Sequence, residues 1–426
     1  MGLILESVLV VGAGIDAAGK VGLVIEAIAE NAEAKRQLFV DLENVVSSDC
    51  ILATNTSSLS ITAMANGMKH PGRLVEVVSG VHTTPQVAKA VSGLSSAWRK
   101  VPVQAASTPG FIVNRLARPF YAEALALLSE QASTPQVVDA CLRGAGFRMG
   151  PCELMDLIGH DTNFAVTMSV YEANFFDKRF VPSRVQRDLV DGGLLGRKSG
   201  RGFYRYPAGA PALASEPCRE PERPRSITVY GDTIMADRLE SLLTVSGARC
   251  GARLVRKRAT DWTGFSIGDG YVVLSDGRTA AEMAAVTGSR NTAVMDRPMR
   301  FPVEASTPLA YAVHPLATDG WGEGAAAWLT SLGFAPQRLT DCPGLVVTRT
   351  IAMLINEAAD AVLQGVCTAE GADVAMKLGV NYPAGLFEWL DDWSVAGVCS
   401  VLAALDDHYR GERYRISAWL RRRVMQ

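Results

Sequence analysis

Four short apolar runs punctuate the first eighty residues: 7–11 (SVLVV), 22–28 (GLVIEAI), 50–56 (CILATNT) and 73–78 (RLVEVV). Continuous runs of this length predict strands buried on both faces. Between the second and third, residues 31–46 place Leu38, Phe39 and Leu42 on one face at helical spacing. Strands alternating with helices in this way predict an α/β layer around a mainly parallel sheet. From Ser107 the texture changes. "STPGFIVNRLARPFYAEALALLSEQ" predicts one long amphipathic helix announced by Pro109 and Gly110, and helical patterns continue to about Leu195 before "GRKSGRGFY" closes the unit. Residues 207–225 are proline-rich and aperiodic, as in an exposed linker. A weaker α/β block follows, with strand-like runs at 226–232, 270–277 and 291–296, and the tail from Thr340 is helical again.

The tail repeats the first helical unit. "TPGFIVNRLARPFYAEALALL" (108–128) aligns with "CPGLVVTRTIAMLINEAADAVL" (342–363), and "GPCELMDLIG" (150–159) with "GLFEWLDDWS" (385–394). The spacing holds as well: 43 positions from Gly110 to Glu153 and 44 from Gly344 to Glu388. The chain therefore reads as α/β followed by all-α, duplicated. The expected units are 1–106, 107–206, a linker at 207–225, 226–339 and 340–426. The second α/β block has no glycine fingerprint, since "VYGDTI" lacks the spacing.

Composition narrows the function classes. Hydrophobic residues make up 48% and charged residues 20%, enough for packed cores, and Lys+Arg 42 against Asp+Glu 44 gives a formal charge of -2. Such a balance points away from nucleic acid and anionic membranes as partners. The eight cysteines show no C-x-x-C, so scattered thiols in a reducing cytoplasm are expected and no metal site. The start, "MGLILESVLVVGAG", lacks a basic leader and is broken by Glu6, so it reads as a strand entering a glycine turn rather than as a signal peptide.

Candidate chemistry begins at that turn. "GAGIDA" (12–17) fits G-x-G-x-x-A, in which Gly12 permits the turn and Gly14 lets the backbone approach a pyrophosphate. A plain strand-to-helix turn fits equally well. The acid expected about 20 residues on has no counterpart. In the doubly wound order 3-2-1-4-5-6 strands 1 and 4 are neighbours. A chain lacking strands 2 and 3 could pair them directly, leaving strand 1 as an edge. "TNTSSL" (54–59) offers amides and hydroxyls either as a turn capping a helix near Ser60 or as a ligand site at a strand's carboxyl end. Asn114 poses the same choice between a helix's polar face and a site. Glu76, inside an apolar strand, wants a partner, and a carboxylate that orients a histidine is one way to build a general base.

The segments "VIEAIAENAEAKRQLF", "ATNTSSLSI", "RLVEVVSG", "STPGFIVNRLARPFYAEAL", "GFRMGPCELMDLIG" and "GRKSGRGFY" closely resemble the 3-hydroxyacyl-CoA dehydrogenases, over nearly the whole chain. The duplication resembles their long bacterial two-repeat form, including members linked to phenylacetate and adipyl-type catabolism. The resemblance implies a truncated Rossmann-type sheet, a helical C-terminal domain and a degenerate second copy of both. It implies NAD-dependent oxidation of 3-hydroxyacyl-CoA to 3-oxoacyl-CoA, with a His–Glu pair taking the hydroxyl proton. By motif, Gly12 and Gly14 would face the pyrophosphate, with Glu30, Lys35 and Asn55 also on the cofactor. Ser57 and Asn114 would hold the substrate oxygen, and Glu76 would orient the histidine. The helical domains would form a homodimer and close over the acyl chain.

One departure is decisive for the chemistry. The family carries an H-F-F-N-P-type segment between the equivalents of "HPGR" and "LVEVV", whereas here Leu74 follows Arg73 directly. The catalytic histidine is therefore absent. His70, His160, His314 and His408 lie elsewhere in the pattern, and His82 would stand about 20 Å from Glu76 on an extended strand. Two readings follow: a dehydrogenase working through a rearranged site, or a catalytically dead relative that keeps its binding and dimerising domains. A reading frame missing two pieces of an ordinary enzyme would look the same.

Overall fold

A computed structural model describes residues 8–11, 18, 21–29, 31–56, 59–75, 78–80, 82–213 and 224–425. Strands β1 (Val8–Val11), β2 (Leu23–Glu26), β3 (Ile51–Thr54) and β4 (Leu74–Val75) form a parallel four-stranded sheet in that order. Helix α1 (Ala32–Glu43) connects β2 to β3, and α2 (Ile61–Met64) lies between β3 and β4. Val8 pairs with Leu23, so the first strand sits directly against the one that would be fourth in a complete doubly wound sheet, and it is an edge. Phe39 and Leu42 of α1 are buried against this layer, as the spacing predicts, and Leu38 is half-buried.

The expected strand at 73–78 is divided. Leu74 and Val75 pair with Leu52 and Ala53. Val78 and Ser79, strand β5 (Val78–Ser79), leave to pair with β6 (Ala105–Ala106) beyond helix α3 (Pro85–Ala97). One short segment thus serves two sheets. The turn before it is pinned by Arg73, whose guanidinium reaches Glu43 at 3.1 Å and the Ser47 carbonyl at 2.6 Å.

The first helical unit comprises α4 (Val113–Leu116), α5 (Arg118–Ser129), α6 (Pro135–Gly144), α7 (Pro151–Ile158), α8 (His160–Ala173) and α9 (Arg184–Asp191). The single long helix expected after Gly110 is broken at Ala117. Pro119, near the start of α5, has no N–H to continue the ladder.

The second α/β block is a mixed seven-stranded sheet ordered β13-β12-β11-β10-β9-β7-β8. Its elements are β7 (Ser226–Tyr230), α10 (Ile234–Cys250), β8 (Arg253–Lys257), β9 (Gly264–Ile267), β10 (Gly270–Leu274), α11 (Ala280–Thr287), β11 (Thr292–Met295), β12 (Thr307–Val313), α12 (Trp321–Ser331) and β13 (Phe334–Arg338). The last helices are α13 (Val347–Leu363), α14 (Ala369–Val374), α15 (Leu386–Trp393), α16 (Val395–Tyr409) and α17 (Ala418–Val424). Here α13 runs unbroken, because Met353 stands where α5 has Pro119.

The duplication extends to individual side chains. Asp139 accepts the amides of Cys152 and Glu153 in the first turn of α7, and Asp373 accepts those of Phe387 and Glu388 in the first turn of α15. The Arg143–Glu153 ion pair has its copy in Lys377–Glu388. Helix α5 packs against α13, and the bond is reciprocal. Arg115 Nε meets Glu357 at 2.6 Å, while Arg349 Nε meets Glu123 at 2.9 Å. Residue i meeting j while the copy of j meets the copy of i is the mark of a two-fold interface. The helical face from which a homodimer was expected is therefore already occupied within one chain.

Candidate active site at the carboxyl end of the parallel sheet

Ligands of open parallel sheets bind beyond the carboxyl ends of the strands, and a polar cluster stands there. Glu26, the last residue of β2, is fully buried and meets the fully buried Lys35 of α1 at 2.7 and 2.9 Å. It also accepts the Thr54 hydroxyl at 2.6 Å and the Ile28 amide at 2.6 Å. Lys35 Nζ donates onward to the Asn55 carbonyl at 3.1 Å. The ammonium is thus spent on tying the ends of β2 and β3 together, leaving Asn55 exposed at the rim. Sequence reading missed Glu26 and Thr54. The signal was an acid within the apolar run "LVIEAI", the same signal that singled out Glu76.

Beyond Asn55 the chain turns as a cap. Thr56 Oγ1 accepts the Leu59 amide at 3.0 Å, and Ser60 caps α2 by accepting the Ala63 amide at 3.2 Å. The Ile61 amide donates to Ser107 Oγ at 3.1 Å, which fastens this loop to the segment leading into α4. Asn114, the second residue of α4, is half-buried, and its carbonyl holds Arg118 Nε at 2.7 Å. Gly12, Gly14, Glu30, Ser57 and Glu76 lie outside the described residues.

None of the five histidines supplies a base here. His82 follows a stretch that is not one extended strand. The chain folds back, with Thr83 Oγ1 on the Leu74 carbonyl at 2.7 Å and the Thr84 amide on the Gly72 carbonyl at 2.9 Å. That brings the segment to the amino-terminal side of β4, opposite to Asn55, and the His82 side chain is exposed. His160 bonds Asp156 at 2.8 Å, but both are buried in the helical unit, where Asp156 also accepts the Phe203 and Tyr204 amides and the Tyr206 hydroxyl. His70 precedes the 71–73 turn, His314 accepts the Leu316 amide, and His408 packs on Tyr409.

Family models cover these blocks: "3-hydroxyacyl-CoA dehydrogenase, NAD binding domain" over 5–108, its "C-terminal domain" over 110–206 and 344–426, and "3-hydroxybutyryl-CoA dehydrogenase reduced Rossmann-fold domain" over 272–343. The 3-hydroxyadipyl-CoA dehydrogenase of Escherichia coli is 40% identical over 418 residues, spanning 95% of this chain and 80% of that protein. The chain belongs to the 3-hydroxyacyl-CoA dehydrogenase family. A probable 3-hydroxybutyryl-CoA dehydrogenase of Deinococcus radiodurans is 38% identical over 199 residues, 43% of this chain and 71% of that protein. Among solved structures, a 3-hydroxybutyryl-CoA dehydrogenase from Escherichia coli superposes with a TM-score of 0.85 at 36% identity, covering 97% of this chain and 83% of that one.

The cofactor of this family's N-terminal domain is NAD. The residues described fit its nicotinamide side, where the carboxyl ends of β2 and β3 present Asn55 on a rigid polar base. On the adenosine side no strand lies beyond β1 among the described residues.

The second half lacks the polar cluster of the first. Strands β10 and β11 with α11 between them copy β2, β3 and α1, and the register places Leu274, Met283 and Met295 where the first half has Glu26, Lys35 and Thr54. Asp296 follows β11 as Asn55 follows β3, and Thr348 copies Asn114. Asp296 accepts the Val346, Val347 and Thr348 amides at 2.9, 2.6 and 2.8 Å and the Thr348 hydroxyl at 2.7 Å. The two positions equivalent to Asn55 and Asn114 are bonded to each other in the second half.

Replacing a buried ion pair by apolar residues is often neutral or stabilising, whereas breaking one is costly. Lys35→Met alone is thus expected to destabilise by about 3–5 kcal/mol, while Glu26→Leu, Lys35→Met and Thr54→Met together stay neutral or gain about 1–4 kcal/mol. Denaturant titrations measure both, and fluorescence titration of the triple variant with NADH should show binding lost. Binding retained at full strength would remove the cluster from the site.

Proposed function

We propose that this chain is an NAD-dependent 3-hydroxyacyl-CoA dehydrogenase that oxidises the C3 hydroxyl of an acyl thioester. The comparisons favour that reading over a catalytically dead relative. The observation that carries it is the Glu26–Lys35–Thr54 cluster. It is kept at the carboxyl end of the first sheet and replaced by Leu274, Met283 and Met295 in a second half that has lost its site.

In this reading Gly12 and Gly14 face the pyrophosphate, and Glu30 and Asn55 lie at the nicotinamide end. Lys35 acts through Glu26 and the Asn55 carbonyl as a positioning residue. Ser57 and Asn114 hold the substrate oxygen. NAD supplies the hydride acceptor when bound. With no imidazole at this end of the sheet, the hydroxyl proton passes to Glu76 or to water. The units follow the boundaries 1–106, 107–206, 226–339 and 340–426, with 207–225 as linker. The chain works in the cytoplasm, which suits its scattered thiols. It has no second copy on the α5–α13 face, no nucleic-acid partner and no membrane role. The test is oxidation of NADH with acetoacetyl-CoA, followed at 340 nm, in the parent chain and in Asn114→Ala. Turnover that Asn114→Ala lowers at least tenfold supports the reading, and turnover indifferent to it overturns the assignment of Asn114.

A further inference from the structure

A large cavity lies in the second half, away from the site above. It encloses about 880 Å3 between the carboxyl ends of β7 and β10 and the start of α16. Strand β7 copies β1, so this is where a glycine fingerprint would open onto a dinucleotide. Asp232 and Thr233 occupy the two positions after the first glycine, Gly231. Thr233 stands where the backbone would have to approach a phosphate, and Asp232 sets a negative charge beside it. A dinucleotide is excluded, yet the cavity is not filled.

Its floor holds two buried polar side chains, each with an atom that has no hydrogen-bond partner. Arg297, just past β11, is 6% exposed, and its Nε has no hydrogen-bond acceptor. Its guanidinium lies over the Trp393 ring at 4.4 Å. Burial pushes it down to about 10. The nearest carboxylate, Asp392, is committed to Arg238 through two bonds of 3.1 and 2.8 Å. Ser275, just past β10, is 3% exposed, and its hydroxyl is also unpartnered. Its amide donates to the Met295 carbonyl at 2.7 Å, so Ser275 and Arg297 leave adjacent parallel strands side by side. A buried guanidinium whose neighbouring acid is already bonded to another arginine has room for an anion. The walls set a limit on its charge, because Asp232, Asp261, Asp276, Asp391 and Asp407 also line the cavity and repel a polyanion.

We propose that this cavity binds a small carboxylate of single negative charge, held by the guanidinium of Arg297 and the hydroxyl of Ser275. The aromatic floor of Trp262 and Trp393 receives its apolar part. The two anchors and the acidic walls together select one carboxylate over a nucleotide or a coenzyme A moiety. The experiment titrates the full chain, saturated with NADH so that the coenzyme end of the first half is filled, with butyrate and, separately, with ADP by calorimetry. Butyrate is expected to give a saturable change that ADP does not. Arg297→Met should weaken it about ten- to hundredfold, as for a charge-assisted hydrogen bond, and Ser275→Ala about two- to tenfold. Melting temperatures identify any variant that fails to fold, and Ser275→Ala then carries the test alone. No saturable response to butyrate, tighter binding of ADP, or butyrate affinity unchanged in both variants overturns the proposal.

Discussion

Glu123→Ala is expected to destabilise the chain by about 3–5 kcal/mol, a large part of the roughly 5–15 kcal/mol that holds a typical fold together. Glu123 accepts Arg349 Nε at 2.9 Å, Arg413 at 2.8 Å and the Tyr414 hydroxyl at 3.0 Å, and both Glu123 and Arg349 are fully buried. Truncation leaves the buried Arg349 charge with the Tyr409 and Tyr414 hydroxyls and only the more distant carboxylate of Glu130, at 3.8 Å. The mirrored change, Glu357→Ala, leaves Arg115 with only the Gln364 amide oxygen, while Arg179 keeps Asp360, and should cost somewhat less. Denaturant unfolding of the two single variants checks this, and a loss below about 1 kcal/mol in both would show the paired helices to be held by packing alone. Burial by itself would raise the Glu123 carboxyl, but Arg413 and Arg349 outweigh it and hold it below the ordinary range. Its contribution is therefore present above about pH 4.3, the unfolded value, and is lost as pH falls through the lower folded value. Stability measured from pH 6 downward should show that loss in the parent and not in Glu123→Ala.

The second large effect is catalytic. NADH oxidation with acetoacetyl-CoA is expected to run about 10²–10⁴-fold below that of the same chain carrying an H-F-F-N-P-type segment inserted between Arg73 and Leu74, the usual worth of a general base. The structure gives this insertion a place. Leu74–Val75 already pairs with β3 and Val78–Ser79 already pairs with β6, so one segment does the work of two strands. Added residues would let the first strand extend to the level of Asn55, bringing a histidine to the carboxyl end of the sheet. Fast turnover by the parent chain that Glu76→Gln abolishes would sink this expectation and point instead to a rearranged base.

Much of this was legible because it rests on local pattern. Continuous apolar runs announced the parallel strands, and the repeat announced the helical pair, since Arg115, Glu123, Asp139 and Glu153 recur at near-constant offset as Arg349, Glu357, Asp373 and Glu388. What stayed hidden depends on context that a run of letters does not carry. Strand β8 alternates as an edge, and β12 and β13 each contain a proline, Pro308 and Pro336, which argues against a strand until an edge position or strand start excuses it. The break at Ala117 needed Pro119 to be weighed against the strength of the helical pattern around it. Lys35 was read as a ligand because its motif says so, while its burial against Glu26 is a tertiary fact. The return of His82 past Gly72 depends on hydroxyl-to-carbonyl bonds that no periodicity predicts.

The mirrored Arg115–Glu357 and Arg349–Glu123 bridges have a consequence for how such a molecule can change. An assembly of identical subunits carries every substitution on both sides of its axis, so whatever empties one pocket empties the other. Here the two sides are written at separate places on a single polypeptide, and their pairing survives any dilution. Thr348 could take over from an asparagine and bond to Asp296, and Leu274 and Met283 could displace an ion pair, without disturbing Asn114 or Glu26. Covalent linkage lets one side change while the other keeps its residues, which two identical subunits cannot do.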